Sequence, residues 1–428
     1  MIKEDITCLS CADSIGNIPE YWKIVKVKNA FERKKEKSAD SDPVVLSLAR
    51  AGVKIRDISN NEGQLASSYD GYNPVEIGDL LLNPMDLYSG ANCSISYVSG
   101  VISPAYFNLR AKEGYDPRYY DYFFKTQYWA MALFAKGRGV SFDNRWTLNF
   151  ETLKNILLPA PPYNEQKKIA SFLDSKINEI DKIIEQASAS IEEYKKWKAS
   201  IIYEATTKGT KKNTALKSSN VEWIDNTPNH WKVVKLRNLC SFVTGGTPST
   251  SNPEWFDGEI QWFTPGDFND SYDISKSTRT LSVKAKEDNA ARFVAKNTVL
   301  LIGIGGTAGK IGYTTVECSF NQQITAIIPK NVAVIDKRFL MYAMIPAAAY
   351  TKDTLMHTTL PIINNQTLGA ICITLPPIEE QKDIAEYLDR VCPNIEGVIN
   401  EKKELISSLE EYKKSLIFET VTGKRKVV

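Results

Sequence analysis

The sequence predicts an α+β protein built as a pseudo-two-fold tandem repeat, with two globular domains separated by two long antiparallel coiled-coil helices. Three observations predict it. Two sequence blocks recur in the same order at nearly the same spacing, a long heptad run follows the second block each time, and the stretches between are mixtures of short apolar runs bounded by Gly, Pro, Asn and Asp.

The first block is Asn17-Ile-Pro-Glu-Tyr-Trp-Lys-Ile-Val-Lys-Val27, which returns as Asn226-Thr-Pro-Asn-His-Trp-Lys-Val-Val-Lys-Leu236, a shift of 209 that carries Trp22 onto Trp231. The second is Pro161-Pro-Tyr-Asn-Glu-Gln-Lys-Lys-Ile-Ala-Ser-Phe-Leu-Asp174, which returns as Pro376-Pro-Ile-Glu-Glu-Gln-Lys-Asp-Ile-Ala-Glu-Tyr-Leu-Asp389, a shift of 215 that carries Gln166 onto Gln381. Between the blocks, Val44–Leu48, Leu80–Leu82, Ile260–Thr264, Val299–Ile304 and Ile324–Ile328 read as strands, and Asp121–Ala135 and Arg338–Ala349 as helices. The regular strand and helix alternation of a doubly wound sheet is missing.

After each Pro-Pro the period changes. Proline is tolerated at the start of a helix, and Glu165 and Glu380 then fall near a positive helix end. Ile177, Ile180, Ile184, Ala187, Ile191, Tyr194, Lys198 and Ile201 follow a three-four alternation, and Cys392, Ile395, Ile399, Lys402, Ile406, Leu409, Lys413 and Leu416 repeat it 215 residues on, with Trp197 aligned to Tyr412. Helices over Asn164–Ala205 and Glu379–Thr420 would each be roughly 60 Å long. Neither can cover its own apolar stripe, so each is the other's partner. An antiparallel pair places the two globular domains at opposite ends. The predicted boundaries are 1–160 and 210–375 for the domains, and 161–209 and 376–428 for the helices.

The chain of 428 residues has 43% hydrophobic and 24% charged residues, which excludes a disordered or collagen-like polymer. Its 53 Lys+Arg and 51 Asp+Glu leave a net charge of +2, so any nucleic-acid surface has to be local. Seven unevenly spaced cysteines do not form a disulfide framework, the N-terminus carries no apolar export signal, and Phe339–Tyr350 is too short to span a bilayer. A reduced, cytoplasmic protein is expected.

Motifs for catalysis fail on spacing. Gly303-Ile-Gly-Gly-Thr-Ala-Gly-Lys310 suggests a phosphate loop, but its first glycine is misplaced and Ile311 stands where a magnesium-binding hydroxyl is needed. Cys8 and Cys11 have zinc-like spacing, yet the chain has only His230 and His357 to complete a ligand set, so no metal is expected. No catalytic residues are assigned. The polar loop Lys136–Trp146 offers Arg138 and Arg145 as forks for guanine, Asn144 as an amide for adenine, and Ser141 for phosphate. In the second copy the matching region is His357–Gln366, also rich in amides. The helix and its entry are alike in the two copies while the sequence between diverges, as one scaffold with two reading surfaces would.

Together the repeated Pro-x-x-Trp-Lys, the repeated Pro-Pro-x-x-Glu-Gln-x-x-Ile-Ala-x-x-Leu-Asp and the closing Val421-Thr-Gly-Lys424 resemble the specificity subunit of a Type I restriction-modification system. Thr244-Gly-Gly-Thr-Pro-Ser249, Trp255-Phe-Asp-Gly258 and Phe320-Asn-Gln-Gln323 also resemble elements of that family's target-recognition domains. The first domain has Glu32–Lys37 where the Gly-Gly-Thr-Pro element would stand. The resemblance implies a non-catalytic DNA reader. Each domain would read half of a bipartite, asymmetric double-stranded site, and the helices would set the gap and dock two modification subunits. Those partners would bring S-adenosylmethionine and methylate adenine N6, and restriction subunits would add ATP- and Mg-dependent cleavage; this chain would hold no cofactor and meet no membrane. By position the resemblance implies DNA contacts at Thr247, Ser249, Lys310, Gln322, Gln323 and Asn364. Glu165, Gln166, Ile177, Ile184, Ile191, Trp197, Glu380, Gln381, Ile395, Ile399 and Tyr412 become scaffold or partner contacts. The competing readings are a coiled-coil adaptor that binds only proteins and an NTP-using enzyme built on Gly303–Lys310.

Overall fold

The computed structural model describes residues 16–38, 43–49, 52–57, 68–69, 71–85, 87, 92–139, 146–211, 213–269, 271–355 and 362–427. Cys8, Cys11, Ser141, Asn144, Arg145 and His357 lie outside the described residues. Two compact units emerge, one combining the chain up to Ala187 with the stretch from Glu404 onward, the other running from Ser188 to Lys403. Each holds one globular domain and one end of both long helices.

The first domain opens with β1 (Lys23–Lys26), a single helical turn α1 (Val27–Ala30) and β2 (Phe31–Lys34). There follow β3 (Leu46–Ala49), β4 (Gly52–Ile55), β5 (Asn73–Val75), β6 (Leu80–Leu82), β7 (Cys93–Ile95), β8 (Gly100–Ile102) and β9 (Phe107–Ala111). A helix α2 (Pro117–Trp129), a short α3 (Phe150–Leu153) and β10 (Leu157–Ala160) complete it. The central sheet has the order β2-β9-β6-β7, and β1 pairs with β10. Helix α2 starts earlier than the apolar run suggested, because Asp116 caps it by accepting from the Arg118 amide and Pro117 sits at its first position. It stops short of Ala135, where Met131 takes a positive φ of 57°. Tyr119, Tyr120, Phe123 and Phe124 are fully buried and form the centre of the core.

The first long helix is α4 (Tyr163–Lys208). The second domain then adds β11 (Leu216–Ser218), β12 (Asn226–Pro228), β13 (Lys232–Lys235), α5 (Leu236–Leu239), β14 (Cys240–Thr244), β15 (Phe256–Phe263), β16 (Asp273–Ile274) and β17 (Arg279–Leu281). It continues with α6 (Val283–Glu287), β18 (Phe293–Val294), β19 (Thr298–Ile302), β20 (Ile311–Thr314), β21 (Cys318–Phe320), β22 (Ile324–Pro329), α7 (Lys337–Leu355), α8 (Asn365–Ala370) and β23 (Cys372–Leu375). The second long helix is α9 (Ile378–Val421). The sheet β14-β22-β19-β20-β16 repeats the first domain's central order with one strand added, and β17-β15-β21-β18 forms a second sheet. Strand β19 ends two residues before the expected Ile304, since the Gly303 amide turns to the Gln323 carbonyl. Helix α7 runs through Pro346 to Leu355, beyond the expected Ala349.

The two frames coincide residue by residue. Lys23 faces Ala160 and Lys26 faces Leu157, just as Lys232 faces Leu375 and Lys235 faces Cys372. Phe31 faces Ala111 as Cys240 faces Pro329. The amide of Val27 bonds the Ile156 carbonyl as that of Leu236 bonds Ile371.

Helices α4 and α9 have 46 and 44 residues, each slightly longer than the heptad pattern required. Ile177, Ile191, Ile395 and Ile399 are buried and Ile184 is partly buried, as a seam demands. Within the first unit Ile169 and Leu173 share a core with Leu416 and Val421, and Lys413 pairs with Asp181. In the second unit Ile202 and Ala205 share a core with Ile384 and Leu388, and Lys198 pairs with Glu396. In each unit the start of one helix therefore meets the end of the other, and they run antiparallel. The two ion pairs are one pair written twice, because the 215-residue shift carries Lys198 onto Lys413 and Asp181 onto Glu396. Trp197 and Tyr412 stand off the seam, 53% and 48% exposed.

Candidate nucleic-acid interface

The signature that opens each long helix is a clasp on its own domain. Glu165 accepts hydrogen bonds from the Tyr21 hydroxyl at 3.0 Å and the Trp22 indole at 3.3 Å. Glu380 accepts from the Trp231 indole at 2.9 Å and lies 2.9 Å from His230 Nε2. Burial pushes the Glu380 carboxyl upward, but the Trp231 and His230 hydrogen bonds prevail and hold it below its ordinary value. Next in line, the Gln166 side chain accepts from the Asp116 amide and donates to the carbonyls of Gly114 and Pro161. Gln381 does the same with the Asp336 amide and the carbonyls of Val334 and Pro376. Both are buried, at 1% and 0% exposure, so their amides serve the chain itself and offer nothing to a partner. The closing aspartates, Asp174 and Asp389, bind Arg118 with Tyr122 and Arg338 with Tyr342. Asp174 and Asp389 in this role, like Asp116 and Asp336, escaped the sequence reading, although both aspartates close the repeated block.

With the frame fixed, the second domain presents a cleft of about 390 Å³ lined by Thr244, Gln322, Gln323, Thr325, Asn364 and Asn365 among others. Its walls come from distant segments. Gly245 and Gly246 are drawn onto the β21–β22 turn by the bonds of their amides to the Ile324 and Phe320 carbonyls. A side chain at Gly245 would collide with the carbonyls of Phe320 and Asn321, so glycine is required there. Thr247 then donates to the Gln322 side-chain Oε1 at 2.7 Å. Asn321 and the Ile304 carbonyl orient Gln323. Asn364 caps α8 by accepting from the Thr367 amide, and Asn365 accepts from Thr244. The exposed donors and acceptors of Gln322, Asn365 and Gln366 suit base edges or phosphates. Thr247, Gln322, Gln323 and Asn364 are thus brought together, and Ser249 lies just beyond, accepting from the Ser251 amide.

Lys310 is elsewhere. It borders a separate groove of about 370 Å³ with Lys195, Lys198, Tyr272 and Lys403. The segment Gly303–Lys310 is the loop of a hairpin from β19 to β20, with no helix behind it to complete a phosphate cradle. Among the described residues no cluster of three His, Cys, Asp or Glu is arranged for a metal. Burial pushes the Cys240 and Cys318 thiols up to about 12, which disarms them as nucleophiles. No described helix is long and apolar enough to cross a membrane.

In the first domain Arg138 is exposed and pairs through its backbone with Thr147, closing the neck of the expected loop. A residue the sequence reading did not assign lies on β2. The Arg33 guanidinium packs against an edge-to-face pair of rings, 4.7 Å from the centroid of Phe107 and 4.6 Å from that of Phe150.

A model of the "Type I restriction modification DNA specificity domain" matches residues 101–193 and 228–407, well over half of the chain. The chain belongs to this specificity family. Among its relatives is the Type I restriction enzyme MjaVIII specificity subunit of Methanocaldococcus jannaschii, 25% identical over 96% of this chain and 94% of that one. The MjaIX specificity subunit of the same organism is 32% identical over 41% of this chain, a match spanning only 40% of that relative's length. Two solved structures share the fold. A chain described under complex assembly and conformational transition of the type I R-M system aligns over 95% of this chain and 99% of its own, with TM-score 0.70 and 16% identity. The HsdS subunit from Thermoanaerobacter tengcongensis aligns over 95% and 98%, with TM-score 0.50 and 16% identity. This family member is a specificity subunit of a type I restriction-modification system and not a catalytic one.

Proposed function

We propose that the chain reads a split, asymmetric site on double-stranded DNA, one half with each domain, and that α4 and α9 set the gap and dock two modification subunits. The observation that carries this reading is the repetition of the clasp and strand register around unlike surfaces, an aromatic pair with a cation in one domain and an amide-lined cleft in the other. Two rigidly framed readers with different side chains recognise two different short sequences, and holding both at once multiplies their selectivity. In this reading residues 1–160 and 210–375 are the readers and 161–209 and 376–428 the spacers. S-adenosylmethionine, and ATP with Mg for cleavage, enter with the modification and restriction subunits, and the assembly works in the cytoplasm. The exposed aromatic surfaces of Trp197 and Tyr412, related by the 215-residue shift, suit two copies of one partner.

The test is to co-express the chain with its modification subunit and sequence the methylated adenines. One split motif is expected, and removing one heptad from both helices should shorten its gap or abolish assembly. Methylation by the purified chain alone would overturn the proposal.

A further inference from the structure

We propose that Arg33 is the guanine-reading residue of the first recognition domain. The proposal rests on the two-reader function above and deepens it. Three features of the structure support it.

The first is position. Lys34 faces Asn108 on β9 as Val243 faces Ala326 on β22, so Phe107 occupies the place of Thr325. Asn149 caps α3 by accepting from the Thr152 amide as Asn364 caps α8 by accepting from Thr367, so Phe150 occupies the place of Asn365. Thr325 and Asn365 are walls of the second domain's amide cleft, where both reach Thr244. In the first domain those two walls are phenylalanines in edge-to-face contact, and the guanidinium of Arg33, which by register holds the place of Phe242, packs against both.

The second feature is the lack of a partner. Arg110 is held by Asp79 and Glu76, and Arg118 by Asp116 and Asp174, as arginines fixed into a fold usually are. The Arg33 side chain has no carboxylate and no hydrogen bond among the described residues, and its Nε is buried unsatisfied. A structural arginine left in that state loses the hydrogen bonds it had in water.

The third is preorganisation. Phe107 and Phe150 meet edge to face, 5.5 Å apart at 72°, and the guanidinium packs against this pair, which limits its rotamers while the side chain stays partly exposed. A planar fork held in place and free of other bonds matches guanine O6 and N7, the pair that arginine reads bidentately in the major groove.

The test uses the full chain assembled with its modification subunit and reads the methylated motif by sequencing. The first domain's half is the half that changes when residues 1–160 are exchanged for another recognition domain. With Arg33→Lys and Arg33→Met, preference for one guanine in that half should fall about tenfold or more while the other half stays unchanged. A first half without guanine, or a motif unchanged in both variants, would overturn the assignment. If Arg33→Met destabilises the domain and methylation stops, Arg33→Lys decides, since it keeps a cation against the rings but has no fork. A wild-type complex that yields no split motif would instead overturn the two-reader function itself.

Discussion

The two recognition domains share a frame and differ in what they hold in it. In both, a tryptophan is pinned by a glutamate, a buried glutamine ties a helix start to the spacer, and an aspartate grips an arginine and a tyrosine. At the matching edge of the central sheet, however, one domain presents a cation packed against an aromatic pair and the other an amide-lined cleft. The clasp uses the faces that meet the helices, which leaves the exposed side chains of the far edge, such as Gln322 and Asn365, outside the scaffold's hydrogen bonds to the helices.

The comparison is broken most directly at the clasp. Trp231→Ala removes a fully buried indole and should cost about 3–5 kcal/mol, with hydrogen exchange rising in the second unit and not in the first. Trp22→Ala should show the converse. Its loss should be slightly smaller, because Trp22 is 3% exposed against 1% and its bond to the glutamate is the longer, 3.3 Å against 2.9 Å. Gln381→Leu comes next, leaving the Asp336 amide and two carbonyls unsatisfied, and should cost about 2–3 kcal/mol in denaturant titration. Equal losses in both units from either single substitution would show that the frames are not independent.

The reading surface should respond in the opposite way. Gln322→Ala should leave the thermal midpoint nearly unchanged, since the side chain is exposed, yet relax one base position in one half-site by about 1–3 kcal/mol. A shift in both halves would refute the separation of the two readers.

These contrasts also explain what was legible. The long helices were, because a three-four alternation of mainly apolar residues, running over Ile177–Ile201 and again over Cys392–Leu416, fits a paired helix and no strand. The repeated Glu-Gln and Leu-Asp were visible as a pattern, but their partners, Trp231, Asp336 and Arg338, lie far along the chain and only folding brings them together. Arg33 was visible only as one of the charged residues of Glu32–Lys37, the segment standing where the Gly-Gly-Thr-Pro element would be. One arginine on a four-residue strand has no period, and the rings that single it out come from β9 and α3. Aligning Asn149 and Thr152 with Asn364 and Thr367 at the 215-residue shift would have exposed the equivalence of the two edges.

A smaller effect depends on pH. Glu380 titrates below its ordinary value of 4.5 in the folded chain, so it binds protons less readily folded than unfolded. Its contribution is therefore present above about 4.5 and is lost as pH falls through the depressed folded value. Glu380→Gln should lower the urea midpoint at neutral pH and flatten the decline of the second unit below pH 4.5. A decline of unaltered steepness in the variant would mean that other carboxylates dominate.

The smallest contrast sets the two copies of the interhelical ion pair against each other. Lys198 and Glu396 are only 13% and 24% exposed, and the ammonium also lies 4.5 Å from the Tyr272 ring centroid, whereas Lys413 and Asp181 are 27% and 50% exposed. Water screens the second pair and replaces its lost partner cheaply, so Lys413→Met should cost no more than a few tenths of a kcal/mol. Lys198→Met leaves a carboxylate with less access to water and removes the contact with the ring, so a loss of about 1 kcal/mol is expected. Raising salt should shrink the first loss more than the second, because screening acts on the exposed pair. If the two substitutions prove equal in denaturant titrations at low and high salt, the helices are held by their apolar seam alone, and the symmetry of the charges would bear on pairing register rather than on stability.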